Sequence, residues 1–231
     1  MNSFNLDREI ARLILLQRSQ FASPVLKKIR KILGRYIYTN FISRFLISPK
    51  SIGYKYYDAM MREYTSLSNY LDFKDKKILS IGSGMCGLEL IINSNSMNNF
   101  FTIVEKNYVS KKVAYGWDDQ NKEAYNNINL LKSFLSRNGM GINDYEIFDY
   151  DKDILPFNSY DYIISLYSLD YHYNFSYYLK YLKHVMNEST EIIFDTIRPD
   201  YFSNIFEYVR IIETEQKSIH SSKRIICKNF I

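Results

Sequence analysis

Apolar positions recur with two different periods along the 231-residue chain, and the change comes near residue 75. Before it the spacing is helical. Leu6, Ile10, Leu13 and Ile14 mark a first helix within residues 5–20. Pro24 opens a second, over residues 25–45. It sets Leu26, Ile29, Ile32, Leu33, Ile37 and Phe41 on one side and Lys27, Lys28, Arg30, Lys31 and Arg35 largely on the other. Pro49-Lys50-Ser51-Ile52-Gly53 is a break, and a tyrosine-rich third helix is expected over residues 54–71.

Beyond residue 75, short apolar runs alternate with helical stretches. Residues 77–81, 100–105, 145–148, 160–166 and 191–195 read as buried strands. Helical stretches are expected after Leu88, within residues 107–140, over 177–186 and over 201–209. Residues 210–215 and 223–228 predict a closing antiparallel hairpin across residues 218–222. The expected fold class is α/β: a Rossmann-like, doubly wound, seven-stranded sheet, mostly parallel with a C-terminal antiparallel strand. An N-terminal helical arm precedes it, with the boundary drawn as 1–72 and 73–231.

The charge is uneven. Residues 1–50 hold ten Lys/Arg and two acids, a net +8, which leaves −3 on the remainder of a chain of net +5. The basic character therefore belongs to the arm. It suits an anionic partner or simply a solvated helix face, and the helix at 25–45 can lie on an anionic membrane surface or pack on its own domain or on a second subunit. An acidic catalytic region argues against a nucleic-acid partner. Cys86 and Cys227 form neither a metal pattern nor a disulfide framework, which fits a cytoplasmic location, and no metal is expected. No apolar run reaches the ~18–20 residues of a membrane span. The run Leu13–Leu16 is short and bracketed by charges, unlike a signal peptide.

The candidate chemistry starts in the turn after the first strand, Gly82-Ser83-Gly84-Met85-Cys86-Gly87. A Gly-x-Gly-x-x-Gly turn between strand and helix binds adenosine-containing cofactors: Gly82 for the turn, Gly84 for close approach to ligand, Gly87 for packing of helix on strand. Glu105 ends the second strand, 18 residues past Gly87, where an acid can accept from both ribose hydroxyls.

In this order and spacing the chain from about 75 to 231 resembles the class I S-adenosylmethionine-dependent methyltransferases. The residues that carry the likeness are Gly82-Ser83-Gly84, Glu105, Asp151 before Leu155-Pro156-Phe157, and Asp161-Tyr162-Ile163-Ile164-Ser165. The resemblance implies S-adenosylmethionine as cofactor, with its methionine end at Gly82, Ser83, Gly84 and Gly87, its ribose on Glu105 and its adenine on Asp151 beside Tyr150. Asp149 is the register alternative for the adenine, and Ser165 lies at the same sheet edge. The family often places an acid two residues before the first glycine, where this chain has Ser80. A nicotinamide-dependent oxidoreductase shares the glycines and the acid, but not the Leu-Pro-Phe stretch or the terminal hairpin.

The stretch after the fourth strand, Ser165 to Tyr173, is similar to bacterial methyltransferases of sugar and polysaccharide biosynthesis. That likeness implies O-methylation of a saccharide hydroxyl. His172 is the only histidine expected at this edge, and an imidazole can take a hydroxyl proton at neutral pH, with Asp170 near enough in sequence to orient it or bind substrate. Tyr57, Tyr115, Trp117, Tyr171 and Tyr173 are candidates for stacking on the acceptor. Another small-molecule acceptor, an amine or phenol, and a non-catalytic cofactor-binding protein are the other readings.

Overall fold

The computed structural model describes residues 2–37, 47–110, 124–212 and 221–231. Seven strands form one sheet in the order β3-β2-β1-β4-β5-β7-β6. The strands are β1 (Lys77–Ile81), β2 (Phe100–Glu105), β3 (Tyr145–Asp149), β4 (Tyr162–Ser165), β5 (Glu191–Thr196), β6 (Phe206–Ile212) and β7 (Lys223–Phe230). The first five pair in parallel. β7 runs antiparallel between β5 and β6. From β1 the chain winds outward to β2 and β3, then returns to β4 on the other side. The crevice between β1 and β4 is thus the point where strand order reverses, the usual ligand position in such sheets.

Side chains alternate across the strands, and each face has its own core. Ile78, Phe101, Ile103, Tyr162, Ile164, Ile193 and Ile226 face one way. They are covered by α1 (Arg8–Gln17), α3 (Pro49–Ser68), α4 (Gly87–Asn95) and α5 (Ile128–Arg137). Leu79, Ile81, Val104, Ile163, Ile192, Phe194 and Cys227 face the other way, under α6 (Ser176–Val185) and the 3-10 turn Pro199–Asn204. The helices start where local chemistry caps them. The Asp7 carboxylate accepts from the Ile10 N–H, the Ser48 hydroxyl from the Ser51 N–H, and Pro49 takes the first turn, where no N–H is needed.

Phe4, Ile10, Ile14, Tyr56 and Met60 belong to the same core as Ile78 and Phe101. The boundary at 72 therefore marks a change of pattern in the chain but no break in the core. α2 (Pro24–Ile37) is the start of the expected second helix; residues 38–45 lie outside the described ones. Leu26 and Ile29 pack on the core, but Ile32 is 80% exposed. At 3.6 residues per turn Ile32 lies about 120° round from Leu26, on a different face.

Two expectations are corrected. No helix covers residues 201–209: a 3-10 turn ends at Asn204 and β6 begins at Phe206. Pairing with β7 decides the matter, because Phe206 and Tyr208 sit opposite Phe230 and Lys228 in the ladder. In the long polar stretch only Ile128–Arg137 is helical among the described residues. Its N-terminal part is closed by a bridge between Val109 and Tyr125, with the Ser110 N–H donating to Ala124 O.

Candidate active site

The glycine loop leaves β1 at Ile81 and closes on its neighbours. The Gly82 N–H donates to Val104 O at 3.0 Å, and Gly82 is left-handed with φ 65°. A Cβ there would stand 2.0 Å from the Ser168 hydroxyl, so no larger residue fits without moving the β4 edge. The Gly84 N–H donates to the Glu105 carboxylate, and Gly84 O accepts from Asn126 Nδ2 at 2.8 Å. Gln17, the last residue of α1, lays its amide on Gly84 and donates to Tyr125 O at 2.7 Å. Gly87 has a different role from the one expected. A Cβ on it would meet Tyr56 of α3 at 2.5 Å, and its N–H donates to the Tyr56 hydroxyl at 3.0 Å. It sets the close approach of α4 to α3 rather than of helix to strand.

Acids stand at the ends of β2 and β3. Glu105 is buried at the end of β2, directly opposite Asp149 of β3 in the parallel ladder. Burial pushes its pKa up to about 7, against the pull of Asn126 and the Gly84 N–H. Asp149 is buried and accepts from the Asp151 N–H at 3.2 Å, with Lys152 Nζ at 3.5 Å. Asp151 stands at the surface with one oxygen on Lys106 Nζ at 3.2 Å. The Lys106 ammonium also lies over the rings of Tyr150 and Tyr173, at 5.3 and 5.7 Å. Tyr150, both acids and a cation are thus brought together at the end of β3.

A second polar group lies behind β4 and β5. Arg224 of β7 is fully buried and donates to both Asp195 oxygens, at 3.0 and 3.1 Å, and to Glu63 of α3. The Tyr167 N–H donates to Asp195 Oδ2 at 3.1 Å and its hydroxyl to Glu63 at 3.3 Å. Burial pushes the Asp195 carboxyl up, with Arg224 opposing. Tyr167 and Asp170 both take left-handed backbone angles, φ 58° and 55°, a conformation uncommon for tyrosine and commoner for aspartate.

No family model matches the chain, and no curated protein matches it in sequence. Solved structures match it in shape. Mitomycin 7-O-methyltransferase MmcR is 11% identical, over 78% of this chain and 56% of that one, with a TM-score of 0.50. The magnesium protoporphyrin IX methyltransferase ChlM of Synechocystis PCC 6803, solved with bound SAM, is 14% identical over 97% of this chain and 98% of its own, with a TM-score of 0.48. The chain has the fold of a methyltransferase.

The structure brings some of the expected site residues together and not others. Gly82, Ser83, Gly84 and Glu105 meet at the ends of β1 and β2, and Asp149, Tyr150 and Asp151 follow at the adjoining end of β3. Ser165 does not face it: its hydroxyl donates to Ile81 O at 2.7 Å and accepts from the Leu169 N–H at 3.0 Å, tying β4 to β1. Asp170 does not orient His172. Among the described residues its buried carboxylate accepts only from Thr196, at 2.6 Å, and from Arg198, at 2.6 and 3.2 Å. His172 is exposed at the lip, its backbone N–H on Ser168 O at 2.8 Å and its ring edge-on to Tyr171 at 4.9 Å. Tyr171 meets Tyr167 edge-on at 5.7 Å, and Tyr173 flanks Lys106. Tyr57 packs edge-on against Phe4 at 5.3 Å, which is a core contact and not a substrate position. Tyr115 and Trp117 lie outside the described residues.

The residues missed from the sequence are Gln17, Tyr56, Glu63, Glu89, Asn126, Arg198 and Arg224. None stands in a motif. The one available signal was charge inside an apolar segment: Glu63 in a tyrosine-rich helix, Glu89 among leucines and isoleucines, and Arg224 at the head of an apolar strand.

Proposed function

We propose that the chain is an S-adenosylmethionine-dependent O-methyltransferase whose acceptor is a hydroxyl of a saccharide. The observation that carries the cofactor is Glu105. Its carboxylate is held against the glycine loop, one strand from the strand-order reversal, in register with Asp149 and next to Tyr150. A crevice edged with carboxylates suits a nucleoside with hydroxyl and amino donors and rejects a pyrophosphate. The residues present fit the cofactor. Glu105 accepts from the ribose, and Asp151, whose second oxygen stands at the surface, accepts from the adenine amino group. Asp149 stabilises the turn that holds both, and Tyr150 offers a ring face. S-adenosylmethionine, when bound, supplies an electrophilic methyl group.

The chain's own task is then to place an acceptor oxygen and move its proton. The lip formed by Tyr171, His172 and Tyr173 is pinned by three N–H donors on Ser168 O, at 3.2, 2.8 and 3.1 Å. Tyr171 and Tyr173 offer ring faces of the kind that pack on sugars, and His172 takes the hydroxyl proton. Positioning supplies much of the acceleration, since a bimolecular displacement becomes effectively unimolecular. His172→Ala is expected to lower turnover on glycan acceptors about 10²–10⁴-fold, with S-adenosylhomocysteine binding unchanged by calorimetry. Normal turnover would remove the base. The commitment of Asp170 to Arg198 and Thr196 favours one second reading, methylation of an amine, whose neutral nitrogen needs no base. Unchanged turnover of an amine acceptor by the variant would establish it.

A further inference from the structure

Two residues of the loop after β4, Tyr167 and Asp170, hold left-handed backbone angles, and the end of β5 bonds to both. Asp195 Oδ2 accepts from the Tyr167 N–H at 3.1 Å. One residue on, Thr196 Oγ1 donates to Asp170 Oδ2 at 2.6 Å. Two residues further, Arg198 closes a side-on pair on the same carboxylate, Nη2 to Oδ1 at 2.6 Å and Nε to Oδ2 at 3.2 Å. A left-handed turn at a side chain as bulky as Tyr167 persists only where its surroundings hold it, and the end of β5 supplies such a hold at both positions.

Arg198 is itself held in place. Its N–H donates to Thr196 Oγ1 at 3.0 Å, and its guanidinium lies over the Tyr201 ring at 4.3 Å. Asp170 is fully buried, while Arg198 is partly exposed. A carboxylate inside a protein stays there only beside its counter-charge; without it, the group takes up a proton or turns out to water. From Asp170 the loop runs straight into Tyr171, His172 and Tyr173. The Asp170 N–H donates to Tyr173 O at 2.7 Å, and Leu169, also fully buried, bridges to Tyr173. Asp170 is thus the buried anchor of a loop whose next three residues form the lip.

We propose that Arg198 is a positioning residue: through Asp170 it locks the loop after β4 and so aims His172 at the acceptor. The inference rests on the proposed function, in which His172 takes the acceptor's proton. Asp170 directs its carboxylate to the end of β5, so Arg198 acts on His172 through the backbone of the loop and not through a bond to the imidazole. A role in stability alone accounts less well for the arrangement. The buried Glu63–Arg224–Asp195 group already ties α3, β5 and β7 together, whereas Arg198 and Asp170 join only the end of β5 to the lip.

Two readouts on the full chain test this: methyl transfer from labelled S-adenosylmethionine to a cell-envelope glycan extract, and NMR of the histidine rings. The chain has three histidines, and the His172 resonance is the one that His172→Ala removes. Arg198→Met is expected to lower turnover at saturating extract about 10–100-fold, the cost of a misplaced reacting group. It is expected to leave S-adenosylhomocysteine binding unchanged by calorimetry and to move the His172 resonance toward its position in the urea-unfolded chain. Arg198→Lys, which keeps the charge, is expected to restore part of both. Should Arg198→Met fail to melt cooperatively, Asp170→Asn, which removes the charge from the other side of the pair, carries the test with the same expectations. A His172 resonance that stays in place, or one that moves with turnover unchanged, overturns the positioning role. A wild type that methylates no acceptor overturns the proposed function instead, and the His172 resonance still decides whether Arg198 orders the lip.

Discussion

Glu105 shows how one residue ties stability to ligand. A free Glu titrates near 4.5, and burial lifts this one to about 7. Between those values the folded protein keeps a proton that the unfolded chain has released. The contribution of Glu105 to stability is therefore complete below about pH 4.5 and is lost as pH rises to about 7. Binding runs the other way, because ribose hydroxyls donate to the ionised form. In the proposed function, affinity for S-adenosylhomocysteine is expected to rise as Glu105 ionises around pH 7, and the melting temperature of the ligand-free protein to fall between about pH 4.5 and 7. Glu105→Gln is expected to bind more weakly, with both pH slopes flattened. Calorimetry and thermal melting across that range check both. The acid at 105 was legible from its spacing to Gly87. Its bond to the Gly84 N–H was not, since it depends on how far the loop folds back over β2. Asp170 teaches the opposite lesson: two residues from His172 in sequence, it points into the protein because Arg198 and Thr196 arrive from β5.

At the scale of elements, helix and strand periods located α1, α3 and the five parallel strands. They failed at residues 201–209, where an apolar spacing that suits a helix is overridden by a ladder with β7. α2 lies between the two outcomes. Leu26 and Ile29 meet the core, while Val25 and Ile32 are 65% and 80% exposed beside exposed Lys28 and Lys31. We propose that this outer face rests on an anionic membrane surface, near a lipid-linked acceptor. Each surface lysine adds about 1 kcal/mol of attraction to such a membrane. Ile32→Glu is expected to abolish flotation with vesicles containing phosphatidylserine and to leave S-adenosylhomocysteine binding unchanged. Equal flotation of variant and wild type would show that the face serves something else.

Across the whole molecule, Arg224 joins three distant parts of the chain: Glu63 from α3, Asp195 from β5 and, through Asp195, the Tyr167 turn after β4. Removing one partner of a buried ionic group costs roughly 3–5 kcal/mol, because the remaining charges stay buried without compensation. Arg224→Met is expected to lose stability of that size in urea unfolding, and Glu63→Gln less, since a neutral amide still accepts from Arg224. No helix of the described residues is long and apolar enough to cross a membrane. The sequence by itself determined the α/β class, the glycine loop, Glu105 and the acids around Tyr150, because strand period and motif spacing are local properties of a chain. Only the tertiary structure decided that Ser165 and Asp170 turn inward, that Gly87 serves the α3–α4 contact, and that Glu63 and Asp195 meet on Arg224. Most of these facts follow from contacts between segments far apart in the chain, which no local period encodes.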